Sequence, residues 1–177
     1  MTLVTFLILT APFALAFHEK KTIEKTLKEL FLKPLPKPIP TVLTALKIFA
    51  IFFCILILEN ILLSTLGFNE ADKVRDVISK QGTLALLLAV SLAPIGEELL
   101  FRGYLQKRVG IILSGLVFAA FHLGYGSFSE VLAAFSFSII AGLEFKKTKN
   151  IYACILSHAL FNTLAVIAIV TSGLAFH

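Results

Sequence analysis

Ser91-Leu92-Ala93-Pro94-Ile95-Gly96-Glu97-Glu98-Leu99-Leu100-Phe101-Arg102 is the stretch on which the fold turns. An apolar run that begins near Thr83 is interrupted by Pro94 and Gly96, and a helical pattern restarts through Glu97 to Arg108. Proline suits the first turn of a new helix, where its missing N–H has no intrahelical partner to lose. Two acids and an arginine on a soluble helix would mean little. Their surroundings make them informative, because 58% of the 177 residues are hydrophobic and only 15% are charged, against about 25% charged in soluble domains. Apolar runs long enough to cross a bilayer recur, each bounded by charge, proline or glycine. The expected class is an all-α integral membrane protein with about six transmembrane helices, one of them broken near Pro94.

Toward the N-terminus, residues 41–66 read as the second span, with Glu59 and Asn60 near its far end, and 67–82 as a polar loop of mixed charge. Before it, Lys33-Pro34-Leu35-Pro36-Lys37-Pro38-Ile39-Pro40 carries proline too densely for helix or sheet and is expected as an extended spacer. Residues 19–32 place Ile23, Leu27, Leu30 and Phe31 on one face of a helix lying on the membrane surface. Residues 1–17 are apolar and end in Ala14-Leu15-Ala16, which looks like a signal-peptide cleavage site. The basic residues follow the run instead of preceding it, so a retained first span is expected. Residues 1–40 thus form a first span, connector and spacer, and 41–177 a core.

Toward the C-terminus, spans are expected at about 110–123, 128–145 and 151–171. Lys20, Lys21, Lys25, Lys28, Lys33 and Lys37 fill the first loop, Arg102, Lys107 and Arg108 the third, and Lys146, Lys147 and Lys149 the fifth. Positive residues mark cytoplasmic loops, so both termini are expected outside. The same placement explains the net charge of +5 better than a nucleic-acid partner does. Cys54 and Cys154 both fall in apolar runs and form no CxxC pair.

Ionisable groups at membrane depth cost about 2.5 to 3.5 kcal/mol each, and this chain clusters several in its second half. Glu97 lies ten residues before Lys107, His122 twelve beyond Gly110 and His158 nine beyond Lys149. At a helical rise of about 1.5 Å per residue these are depths of about 15, 18 and 14 Å. Three groups far apart in sequence therefore reach a similar depth. Glu98 and Arg102, at i and i+4, are expected to pair and support the structure, whereas Glu97 points about 100° away and is left reactive. Phe118 and His122 share a face, as do His158 and Asn162. Glu97, His122, His158 and Asn162 together have the chemistry to activate a water and hold an oxyanion. The plainer readings are that Phe118 packs, that Ser136 and Ser138 pack or bond the backbone, and that Glu130 and Glu144 sit at the interface.

These residues also form a set of motifs. Glu97-Glu98-Leu99-Leu100-Phe101-Arg102-Gly103-Tyr104-Leu105, Phe118-Ala119-Ala120-Phe121-His122 and His158-Ala159-Leu160-Phe161-Asn162 resemble, in order, the EExxxR, FxxxH and HxxxN motifs of the type II CAAX prenyl protease (Abi) family. The polar turn Lys147-Thr148-Lys149-Asn150-Ile151 is similar to the one before the third motif, and the resemblance covers about 82–165. It implies an intramembrane endopeptidase, acting on prenylated CAAX-type proteins in the prototype. Carried over, Glu97 with His122 activates water, His158 with Asn162 forms the oxyanion site, and Glu98 and Arg102 hold the helix. Many prokaryotic relatives are assigned to bacteriocin immunity or have no substrate, which implies a prokaryotic cell membrane as the setting.

Glu97, His122 and His158 would be the ligands of a zinc ion if one were used. No HExxH helix is present and asparagine is a poor zinc ligand, so no cofactor is favoured and a metal-free water activation is expected. The expected partners are membrane lipid and a membrane-associated protein or lipidated peptide, reached from the cytoplasmic side. A proteolytically silent scaffold or immunity protein of the same fold is the alternative. A proton or ion carrier is a second rival, but the apolar outer half of the last span, Ala165 to Val170, gives it no polar path to both faces.

Overall fold

The computed structural model describes residues 2–19, 22–32, 35–68 and 70–174; Lys20, Lys21, Lys33 and Pro34, assigned above to the first basic loop and the spacer, lie outside these. Among the described residues there is no strand. The helices are α1 (Thr2–His18), α2 (Ile23–Glu29), α3 (Pro38–Thr65), α4 (Ala71–Ser79), α5 (Thr83–Val90), α6 (Leu92–Glu98), α7 (Gln106–Ala120), α8 (Phe128–Thr148) and α9 (Ile151–Leu174). A π-helical stretch, Leu99–Leu105, joins α6 to α7, and a 3-10 turn, Leu123–Tyr125, precedes α8.

The chain is an all-helical integral membrane protein, and four runs are long and apolar enough to cross a membrane: Pro38–Thr65, Leu92–Tyr125, Phe128–Thr148 and Ile151–Ser172. The count of about six is approximate for two reasons. Helix α1 has 17 residues, at the lower limit of the roughly 17 to 25 that a span takes. The expected third and fourth spans form one run of 34 residues, broken inside by Gly110 at φ 83° and ψ 174°. That left-handed φ is open to glycine and strained for residues with a side chain, so the chain changes direction there. The break between α5 and α6 falls at Ser91 (φ −119°, ψ −75°), and Pro94 sits in the first turn of α6.

Two local expectations are corrected. The proline spacer ends earlier than expected, because α3 begins at Pro38 and takes both Pro38 and Pro40 into its first turn, where a missing N–H costs nothing. The loop 67–82 contains α4, an amphipathic helix laced by Lys73–Glu70, Arg75–Asp72 and Lys80–Asp76 pairs three and four residues apart.

The core is aromatic. Phe52 of α3 meets Phe137 of α8 and Phe161 of α9 edge-on, with ring centroids 5.2 and 4.8 Å apart, and Phe101 meets Phe118 at 5.0 Å. Inside a bilayer lipid tails are as apolar as these rings, so close packing and interhelical polar ties carry the association. Such ties are present along α8. Glu144, expected at the interface, is buried and pairs with Lys47 at 2.9 Å. Ser136, expected to pack or bond the backbone, instead donates to the Glu59 carboxyl. At the head of α8, Glu70 accepts from the amides of Phe128 (2.6 Å) and Ser129 (3.2 Å), capping the helix from another segment. The hydrogen-bonded Lys73, then those amides, hold the Glu70 carboxyl below its ordinary value. At the other end of the bundle, Arg108 lies 3.6 Å above the Tyr104 ring and bonds Glu19 and Glu29 at 2.9 and 3.1 Å, fastening the α1–α2 region beside the π-helical stretch.

Candidate active site

Helix α6 runs into its π-helical stretch at Leu99, immediately after the two acids. Insertions of this kind in a helix commonly mark functional sites. Glu98 and Arg102 are both inaccessible, at 0% and 1% exposure. Arg102 Nε stands 3.0 Å from Glu98 Oε2 without an aligned hydrogen bond, and Nη1 and Nη2 have no hydrogen-bond partner among the described residues. The guanidinium instead lies over the rings of Phe118 and Phe137, at 4.9 and 5.5 Å. Phe118, read from sequence as packing, thus supports the arginine as well.

Glu98 has a second partner that the sequence did not reveal. His158 of α9 donates from Nδ1 to Glu98 Oε1 at 2.9 Å. A carboxylate accepts only, so this bond fixes the proton on Nδ1 and turns Nε2 away from Glu98. Nε2 then lies 3.8 Å from Glu97 Oε2. The structure brings Glu97 to His158, with no contact between Glu97 and His122 in evidence. Burial leaves Glu97 Oε2 without a hydrogen-bond partner among the described residues.

His122 lies just past the end of α7, in the turn that leads to α8. Its Nδ1 is bonded to the Phe118 carbonyl at 3.0 Å. The carbonyl can only accept, so Nδ1 carries the proton and Nε2 is left with a lone pair for a water. The Phe118 ring separates the two imidazoles, at 4.9 Å from His122 and 5.9 Å from His158. Asn162, one turn beyond His158, donates from Nδ2 to the Ala89 carbonyl at 3.0 Å, near the break at Ser91. The remaining Nδ2 hydrogen and Oδ1 are open to a ligand.

These groups surround a cavity with about 30 Å³ of space open to a water-sized sphere, lined by His122, Glu130, His158 and Asn162 with Phe52, Phe118, Phe137 and Phe161. That is room for a water or two. Glu97 stands behind His158 and outside this lining, while Glu130, expected at the interface, is inside it. As a metal site the group fits poorly. Among the described residues no three His, Cys, Asp or Glu side chains gather closely enough to hold an ion, so Glu97, His122 and His158 form no three-ligand set.

A helical membrane protein with acid, imidazole and amide groups from three distant segments around one small cavity belongs to the class of intramembrane proteins with a buried polar centre. Residues 79–164 match the family model of the Rce1-like, type II CAAX prenyl endopeptidases, so the likeness read from the motifs is shown for this segment. The chain is 35% identical over 98 residues to an uncharacterized protein of Mycoplasma capricolum subsp. capricolum, covering 50% of this chain and 28% of that protein. It is 28% identical over 98 residues to the uncharacterized protein YpbD of Bacillus subtilis, covering 55% of this chain and 52% of that protein. The chain therefore spans only about a quarter to a half of the length of these relatives. No solved structure matches it.

Proposed function

We propose that the chain is an intramembrane endopeptidase that hydrolyses a peptide bond of a membrane-associated, lipidated substrate of CAAX type, without a metal. Water is activated by Glu97 acting with His122, whose ring lines the cavity, and Asn162 donates to the oxygen on which charge develops, joined by His158 once a second proton on Nε2 makes it an imidazolium. Glu98 and Arg102 hold His158 and the helix in place. The site opens to the cytoplasmic side of a prokaryotic cell membrane, with both termini outside. The observation that carries this reading is the meeting of His122, His158 and Asn162 at one cavity, with His158 held between Glu98 and Glu97. A catalytic set needs such convergence, whereas polar groups that only join helices can pair locally.

The alternative is a proteolytically silent scaffold or immunity protein, in which the cavity holds water alone. One assay separates the two. Cleavage of a lipidated or transmembrane peptide in detergent is followed for the wild type and for Glu97→Gln, which keeps shape but removes the base. The variant should fold normally and lose about 10²- to 10⁴-fold in rate. His122→Ala should fall to a similar floor, and the double variant little further, since groups that act as one unit are not additive. Asn162→Ala should raise the barrier by about 2.7 to 4 kcal/mol. Wild-type turnover in Glu97→Gln, or none in the wild type, would leave the scaffold as the better account.

A further inference from the structure

The one carboxyl among the residues lining the cavity belongs to Glu130. It sits in the first turn of α8, where Ser127 caps the helix by accepting from the Glu130 amide at 3.2 Å. That cap fixes the backbone and leaves the side chain free to face inward. Among the described residues the Glu130 carboxyl has no hydrogen-bond or ion-pair partner. It shares the cavity lining with four phenylalanines, Ala133, Ala134, the two imidazoles and the Asn162 amide. Tyr125 is stacked on His122 with ring centroids 6.0 Å apart.

A carboxyl facing an apolar-walled cavity without a donor is costly unless something that binds there supplies one. The space suits a small group, about the size of a water or a backbone N–H. A lysine or arginine side chain would not fit it. The polar groups arrive as two pairs, His158 and Asn162 from α9, and His122 from the turn after α7 with Glu130 from the first turn of α8. A peptide group between the pairs has an oxygen side and a nitrogen side.

We propose that Glu130 is a further catalytic residue, the acceptor that holds the scissile N–H and then the leaving amine; this rests on the endopeptidase reading above. In the step, the water oxygen bonds to the carbonyl carbon, its proton passes to Glu97, and the carbonyl π pair moves onto oxygen. Collapse re-forms the C=O bond and breaks C–N. The C–N pair stays on nitrogen, which takes the proton from Glu97 and becomes an amine hydrogen-bonded to Glu130. The sum is water plus amide giving carboxylic acid plus amine, and Glu130 is unchanged.

The test compares a peptide substrate with its ester analogue, which has oxygen in place of the scissile N–H. Glu130→Met removes the acceptor and keeps the length of the side chain. Amide cleavage should fall by about 10²-fold or more, ester cleavage should stay within about threefold, and Glu130→Gln should be intermediate on the amide because its carbonyl still accepts a bond. Equal losses on both substrates, or no loss on the amide, would overturn the proposal. If Glu130→Met does not fold, the amide-to-ester ratio of Glu130→Gln is read in its place, and an unchanged ratio counts against it. The reading it rests on fails separately, through absent wild-type cleavage or a fully active Glu97→Gln.

Discussion

Replacing Glu98 with glutamine changes one atom in a place with no room to adapt. Glu98 is fully buried and meets Arg102 Nε at 3.0 Å on one oxygen and His158 Nδ1 at 2.9 Å on the other. Both neighbours are donors. Glutamine offers one acceptor and one donor, so either the guanidinium or the imidazole must face an amide NH₂. The arginine also loses the counter-charge that stands 3.0 Å from it, and its Nη atoms already lack hydrogen-bond partners among the described residues. Breaking such a pair from one side costs about 3 to 5 kcal/mol, which for a chain of this size lowers the melting temperature by about 6 to 20 °C. Arg102→Met in the same chain should recover part of this, because no charge is then left uncompensated. The protein carries its own reporter. Cys154 is buried at 1% exposure, with Sγ 3.7 Å from the Ala141 carbonyl, while Cys54 is exposed. In a Cys54→Ser background, labelling of Cys154 by a thiol-reactive dye during heating in detergent follows unfolding. A Glu98→Gln protein that melts within about 2 °C of its parent would refute the account of Glu98 as a clamp.

Two further outcomes can be checked. Accessibility tags at Leu35 and Thr148 should report the cytoplasm and a tag in α4, at Arg75, the outside; tags at Leu35 and Thr148 found on opposite faces would break the proposed orientation. At the head of α8, the folded-state pKa of Glu70 lies below its ordinary 4.5, so its capping contribution is complete above that value and is lost as pH falls through the lower folded one. Hydrogen exchange should show the Phe128 and Ser129 amides protected at neutral pH and losing protection below pH 4.5, and Glu70→Gln should be less protected throughout with little change in that acid range.

The sequence made the fold class legible because bilayer length and charged loop boundaries are strong, local signals. It also made Glu98–Arg102 legible, since a spacing of four on a helix brings side chains together whatever lies around them. What it could not show were contacts between elements. The Glu98–His158 bond joins residues 60 apart, and only packing of α6 on α9 creates it. Glu130 and Glu144 were read as interfacial, and the sequence did not show that one also lines the cavity and that the other pairs with the exposed Lys47. For α4 a signal existed in the spacing of Asp72 with Arg75 and of Asp76 with Lys80, which are helical pairs hidden in a segment that looked merely polar.

Adjacent carboxyls at 97 and 98 show how one helix can carry a structural and a reactive acid. A step of about 100° per residue sends them in different directions. Glu98 enters a site with a cation and an imidazole donor, one oxygen bonded to His158 and the other 3.0 Å from Arg102. Glu97 faces the far edge of the same imidazole, with one oxygen buried and unpartnered. His158 is thus held through Nδ1 by Glu98 and approached at Nε2 by Glu97. The FxxxH phenylalanine completes the arrangement, because Phe118 covers the Arg102 guanidinium, separates the two imidazoles and, through its carbonyl, sets the His122 tautomer. The three motifs are therefore one mechanical unit, in which Arg102 anchors Glu98, Glu98 orients His158, and Phe118 supports both the arginine and the second histidine.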